Sequence, residues 1–134
     1  MTVLRTARKV RDTRITLAHG SGGKAMHDLI EDVFLTTFDH SAFDPPEDQA
    51  RLPLAELVAQ GDRLAFTTDS YVVDPLFFAG GDIGRLAVAG TVNDLAVGGA
   101  RPLFLSCAII AEEGLDIALL RRVARSMQDT AAEA

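Results

Sequence analysis

An amide and a carboxylate, Asn93 and Asp94, sit inside a stretch that otherwise reads as buried helix, Gly90-Thr91-Val92-Asn93-Asp94-Leu95-Ala96-Val97-Gly98-Gly99-Ala100-Arg101-Pro102. From Ile83 to Val97 the only other polar side chains are Arg85 and Thr91. At about 100° per residue, a helix places Asp94 on one stripe with Ile83, Leu86, Ala87, Gly90 and Val97. On that stripe Asp94 is expected to be buried. An unpaired buried carboxylate is very costly, so a cation, several N–H donors or a metal ion should stand beside it.

Other segments carry candidate partners. Glu47-Asp48 ends an acidic loop, and Asp69 follows Leu64-Ala65-Phe66-Thr67-Thr68, a run with the pattern of a strand. Carboxylates from three segments could converge on magnesium, a hard ion that takes carboxylate oxygens and completes its shell with water and nucleotide phosphates. Zinc is disfavoured, because one cysteine and the scattered His19, His27 and His40 have no ligand spacing.

The loop His19-Gly20-Ser21-Gly22-Gly23-Lys24 joins a short strand, Ile15–Ala18, to a helix. It is not a Walker A motif: Ala18 stands where the first glycine belongs, and Ala25 replaces the hydroxyl residue. Gly20-x-Gly22-x-x-Ala25 fits the looser dinucleotide fingerprint, but no ribose-binding acid follows clearly. Backbone N–H groups at a helix N-terminus beside Lys24 also form a generic phosphate site, and a plain glycine turn with a solvated lysine stays open. His19 reads as a loop residue with a hydrogen-bonding role rather than a base.

The elements that must position these groups follow in order. A helix carries Met26, Ile30, Val33, Phe34 and Phe38 on one stripe, and residues 39–47, with Pro45-Pro46, form a loop. Gln60-Gly61-Asp62-Arg63 is a turn, and the strand after it runs toward Tyr71-Val72-Val73. Asp82 caps a second helix that Gly98-Gly99 closes. Leu103–Ala111 reads as a core strand, with Cys107 as a small buried hydrophobe rather than a reactive thiol. Asp116 caps a last helix with Ile117, Leu120, Val123, Ala124 and Met127 on its apolar face, while Arg121, Arg122 and Arg125 lie off it. The order βαββαβα is an α+β or α/β pattern.

Composition sets the outer limits. With 134 residues, 48% of them hydrophobic and 24% charged, the sequence fits one domain or a fragment of one. Residues 1–14 carry five basic groups against Asp12, a net of +4 within a total of −6, so the remainder carries −10. That acidic body repels phosphate backbones, which argues against nucleic acid as a partner and leaves 1–14 as a basic, solvated arm. One cysteine supports no disulfide framework, and no apolar run is long enough for a membrane span or a signal peptide, so a reducing cytoplasm is expected.

Thr67-Thr68-Asp69, Glu47-Asp48-Gln49-Ala50 and Gly90–Asp94 through Gly99-Ala100-Arg101-Pro102 together resemble the N-terminal domain of the aminoimidazole ribonucleotide synthetase (PurM-like) superfamily. His19–Lys24 and the run from Asp69 to Gly84 are similar in particular to its hydrogenase-maturation branch. The resemblance covers about residues 15–134. It implies an α+β fold, a mixed sheet with helices on one face, and sheets that pair into a barrel across a homodimer with ATP near the interface. Asp48, Asp69 and Asp94 would hold magnesium and the ATP phosphates, Asn93 would steady Asp94 or contact nucleotide, and Gly22-Gly23-Lys24 would approach the phosphates. The implied activity is ATP-dependent dehydration of a thiocarboxamide on a C-terminal cysteine to a thiocyanate, the cyanide source for nickel–iron hydrogenases. The implied partners are the carbamoyltransferase HypF and the HypC–HypD complex.

Glu47-Asp48 stands where relatives carry Asp-Asp, which leaves the number of ligands from that segment open. The last helix runs to Ala134 without a following strand, a second domain or the C-terminal cysteine, a role Cys107 cannot take. A truncated chain, inactive as an isolated fragment, is therefore expected. Two other readings stay open: a PurM-like kinase for an added small molecule, and a non-catalytic dimerisation module.

Overall fold

Helix signals in the sequence operate where they stand. In a computed structural model, which describes residues 9–38, 47, 49–59 and 61–134, the Asp82 carboxylate accepts from the N–H groups of Gly84 at 2.7 Å and Arg85 at 3.2 Å. It thereby caps a helix over Ile83–Val97. That helix closes with Gly99 at φ 72. The Gly99 N–H donates to Ala96 O and the Ala100 N–H to Leu95 O, both at 2.9 Å. This is the Schellman pattern, whose left-handed residue a glycine adopts without Cβ strain. Asp116 likewise caps the last helix, Ile117–Glu133, by accepting from the Ala118 N–H at 2.8 Å.

In chain order the elements are a 3-10 turn at Leu17–Gly20, α1 at Lys24–Leu29 continuing as a π-helical stretch over Ile30–Leu35, α2 at Leu54–Val58, β1 at Phe77–Phe78, β2 at Gly81–Asp82, α3 at Ile83–Val97 and α4 at Ile117–Glu133. β1 and β2 are antiparallel, with Phe77 opposite Asp82 and Phe78 opposite Gly81. The basic arm before Lys9, the loop 39–46, Asp48 and Gln60 lie outside the described residues.

α4 is the hub of the packing. Ile117, Leu120 and Ala124 are buried with Ile15, Leu29 and Val33, flanked by Phe34, Phe38 and Leu115. On its other side α4 packs along α3, where Gly84 and Val88 are buried. The Ser126 hydroxyl donates to the Asp82 carboxylate at 2.6 Å, so the residue that caps α3 is also tied to α4. The expected apolar face of α4 is thus present, and the arginines off it have their own partners: Arg121 reaches Asp32, and Arg122 lies 3.9 Å over the Phe77 ring.

Three expected strands do not form. Residues 61–73 and 101–111 belong to no ladder among the described residues, and Ile15–Ala18 gives way to the 3-10 turn, leaving only a bridge between Arg14 and Asp116. Leu64, Phe66, Val72 and Ile110 are strongly exposed, and Cys107 is exposed rather than buried. Strand propensity favours an extended backbone, but a strand also needs a neighbour for its N–H and C=O groups, and these segments have none among the described residues.

Asp32 shows how the helices are fastened. Its carboxylate accepts from the Val10 N–H at 2.9 Å and from Arg121 Nη2 at 2.5 Å, while Arg121 Nη1 donates to the Asp32 carbonyl at 2.7 Å. Burial pushes the Asp32 carboxyl up, but the Arg121 hydrogen bond, the Val10 N–H and the positive charges of Arg121 and Lys9 outweigh it and hold the pKa below 3.8. A carboxyl depressed on folding contributes stability that is complete above its unfolded pKa and is lost as pH falls through its folded value. Arg121→Met is therefore expected to lower stability at neutral pH and to weaken the loss on acidification below pH 4. Urea unfolding midpoints at neutral and acid pH read both effects; parallel curves for the variant and the parent would contradict the assignment.

Candidate functional site

Asp69 and Asp94 come from separate segments, and the negative charge of each bears on one phenol, Tyr71. The Tyr71 hydroxyl lies 3.5 Å from Thr91 Oγ1. The Thr91 hydrogen bond lowers the Tyr71 pKa, but desolvation, a hydrogen bond with Asp69 and the negative charges of Asp69 and Asp94 together raise it. The phenol therefore stays protonated and can donate toward carboxylate.

Local geometry explains this convergence. Side chains two apart on an extended backbone share a face, which aligns Asp69 with Tyr71. Residues three and four apart on a helix are neighbours, which groups Gly90 and Thr91 with Asp94 on α3. The Tyr71 ring crosses α3 where Gly90 leaves room, since a Cβ there would lie 2.3 Å from the hydroxyl oxygen. Beside it is a small cavity of about 90 Å³ bordered by Thr67, Thr68, Asp69, Thr91 and Ser106.

Asp94 itself is exposed, as are Asn93 and Asp69. The expectation of a buried Asp94 is therefore corrected: α3 is apolar on most sides, and it buries the Gly84 and Val88 face against α4 rather than the stripe that carries Asp94. The Asp69 carboxylate accepts from the Ser70 N–H at 2.7 Å. Two exposed carboxylates fit magnesium, which binds through one or two carboxylates and keeps waters and phosphate oxygens for its other positions. Among the described residues no group of three potential metal-binding side chains occurs. Asp48, the third acid expected at the site, lies outside the described residues, and Glu47 pairs with Arg51 at 2.7 Å.

The glycine loop is shaped by local contacts. Gly22 takes φ 77, Gly23 precedes α1 in an extended conformation, and Lys24 pairs with Asp28 one turn on. Among the described residues, none of Gly22, Gly23 and Lys24 lines the cavity beside Asp69. His19 has the hydrogen-bonding role expected of it. It is buried, its Nδ1 accepts from the Thr16 N–H at 3.0 Å, and its Nε2 faces Asp12 at 3.4 Å. Acceptance at Nδ1 places the ring proton on Nε2. Cys107 is exposed, and partial desolvation pushes its thiol pKa up, away from the thiolate a nucleophile needs.

Sequence reasoning did not single out Tyr71, Thr91 or Gly90. The signal was present in the i, i+2 spacing from Asp69 and in the i−3 and i−4 spacings from Asp94.

Comparison with known proteins identifies the family. Residues 46–134 match the family of AIR synthase related proteins, N-terminal domain. The chain is 66% identical over 120 residues to the carbamoyl dehydratase HypE of Rhodobacter capsulatus, covering 88% of this chain and 34% of that protein. It is 60% identical over 117 residues to the carbamoyl dehydratase HypE of Escherichia coli (strain K12), covering 87% and 35%. The crystal structure of E. coli HypE superposes with a TM-score of 0.75 at 56% identity, over 81% of this chain and 34% of that one. The chain thus spans about a third of the length of these relatives. No helix among the described residues is long and apolar enough to cross a membrane.

Proposed function

The chain belongs to the AIR synthase related protein family, and from that premise we propose that it is the nucleotide-binding N-terminal part of a carbamoyl dehydratase that makes cyanide ligands for nickel–iron hydrogenases. The observation that carries the reading is the 66% identity, across nearly the whole chain, to a protein named carbamoyl dehydratase HypE. The convergence of Asp69 and Asp94 on Tyr71 supports it with a site of suitable chemistry.

In the proposed reaction a thiocarboxamide oxygen on a C-terminal cysteine attacks the γ-phosphorus of ATP, and ADP leaves. The nitrogen then gives up its two protons, the C–O bond breaks, and the oxygen departs in phosphate as the thiocyanate forms. Asp69 and Asp94, with Asp48, would hold magnesium, whose charge supports phosphoryl transfer. The chain's own work is mainly positioning: Asn93 steadies Asp94 or contacts the nucleotide, and Gly22-Gly23-Lys24 approaches the phosphates. Catalysis of this kind depends on fixed charges more than on acid–base groups.

The reading includes a homodimer. The exposed, unpaired segments around Phe66, Val72 and Ile110 carry apolar side chains that a second copy would cover, pairing sheets into a barrel. By the same resemblance, the carbamoyltransferase HypF supplies the carbamoyl group and the HypC–HypD complex receives the cyanide, in the cytoplasm.

Intact-mass analysis of the full-length protein tests the chemistry. With its C-terminal cysteine carbamoylated, addition of ATP and magnesium should remove the mass of one water from that cysteine. An unchanged mass, with ATP consumed only when a small-molecule acceptor is added, would replace this reading with that of a kinase. Dimerisation without any ATP turnover would leave a dimerisation module.

A further inference from the structure

Tyr71 is the side chain through which the Asp69 segment meets α3. The residues around it offer little other anchorage: Leu64 is 79% exposed, Phe66 81% and Val72 97%. Among the described residues, no ladder hydrogen bonds hold 61–73 in place. Tyr71, by contrast, is half-buried. Its ring lies against Gly90, where an added Cβ would come within 2.9 Å of Cε1 and Cζ and 2.3 Å of the hydroxyl oxygen. Its hydroxyl faces Thr91 Oγ1 at 3.5 Å. One turn further along α3 is Asp94, and two residues back along the extended segment is Asp69.

We infer that Tyr71 is a positioning residue: its ring seats the Asp69 segment on the gap left by Gly90, and its hydroxyl ties that segment to Thr91, one turn before Asp94 on α3. The inference rests on the proposed reading of those carboxylates as magnesium ligands. A phenol has one proton to donate and lone pairs that accept, so it can donate to a carboxylate while accepting from Thr91. Two exposed acids on separate segments repel one another, and a neutral hydroxyl that links the Asp69 segment to α3 through Thr91 holds the segments together without adding charge. Groups that orient metal ligands without touching the metal typically change affinity about 10- to 100-fold when removed.

The test uses the full-length protein and reads Mn2+ binding by electron paramagnetic resonance, the Mg2+ dependence of ATP turnover, and thermal melting. Tyr71→Phe keeps the ring and removes the donor. It is expected to weaken Mn2+ binding and raise the half-saturating Mg2+ concentration about tenfold, with turnover recovered at saturating Mg2+ and melting unchanged. Gly90→Ala, which displaces the ring, is expected to shift both metal readouts and also lower the melting temperature. Combining Gly90→Ala with Tyr71→Leu should restore melting but not metal affinity. If Tyr71→Phe leaves Mn2+ and Mg2+ affinity unchanged, or alters melting alone, while Asp94→Asn abolishes binding, the inference about Tyr71 is overturned and the carboxylate reading stands. If Asp69→Asn and Asp94→Asn both bind metal as the parent does, the carboxylate reading fails and this inference fails with it.

Discussion

Asp94→Asn in the full-length protein is expected to cut ATP turnover at least about a hundredfold, the scale on which removing one preorganised electrostatic group acts on a transition state. The far-UV circular dichroism and the unfolding midpoint should barely change. Asp94 is exposed on α3, so the nearly isosteric amide needs no burial and breaks no packing. What it loses is a negative charge facing the same phenol as Asp69. Asp69→Asn should behave alike, since an amide of nearly the same shape can still accept from the Ser70 N–H and from the Tyr71 hydroxyl. On the proposed reading both acids hold one ion, so the double variant should be little worse than either single one, as expected of groups that act as a unit. Steady-state ATP hydrolysis beside a urea melt decides the matter. Retained turnover removes these residues from the site, and loss of folding would make Asp94 a structural acid after all.

Gly84→Ala is expected to be the most damaging small substitution in the helical part. Gly84 is buried where α3 crosses α4, and a Cβ there would sit 2.6 Å from the Val123 carbonyl oxygen, with Asp82 Oδ1 and Met127 Cγ each at 3.0 Å. A methionine can rotate away, but a backbone carbonyl inside a helix cannot. The helices must separate, and the Asp82 carboxylate that caps α3 and accepts from Ser126 is disturbed at the same time. Overpacking of this kind together with a weakened cap costs about 3 kcal/mol. Urea unfolding of the full-length protein measures it. Since α3 carries Asp94, magnesium affinity should also fall, unlike in a surface variant of equal helix propensity. A loss below about 0.5 kcal/mol, the ordinary range for surface substitutions, would mean that α3 and α4 are less closely packed than described.

The packing of α4 decides how much of this protein reads directly from its residues. Asp82 and Asp116 as helix caps, Gly98-Gly99 as a stop and the apolar face of α4 were all legible, because each depends on residues within a few positions of one another. The motif around Asn93-Asp94 was legible in the same way, and it led to the family before any fold was seen. α3 was different. A helix apolar on most sides presents no single stripe, so periodicity alone could not tell which face meets a neighbour. The partner decided that: α4 took the Gly84 and Val88 face, and Asp94 was left exposed.

The strands show the same division. Leu64–Asp69 and Leu103–Ala111 have the composition of strands, yet they make no ladder among the described residues. Propensity belongs to a segment, whereas a ladder belongs to a pair. The meeting of Tyr71 with Gly90 is likewise a property of two segments, 19 positions apart in sequence. The sequence by itself determined the helix ends, the face that α4 buries, the acids available for a metal and the family they belong to, because all of these are encoded in local order. Only the tertiary structure decided which face of α3 is covered and that the Tyr71 ring rests against Gly90 of that helix. Those outcomes depend on contacts between distant segments, which packing selects and no local pattern contains.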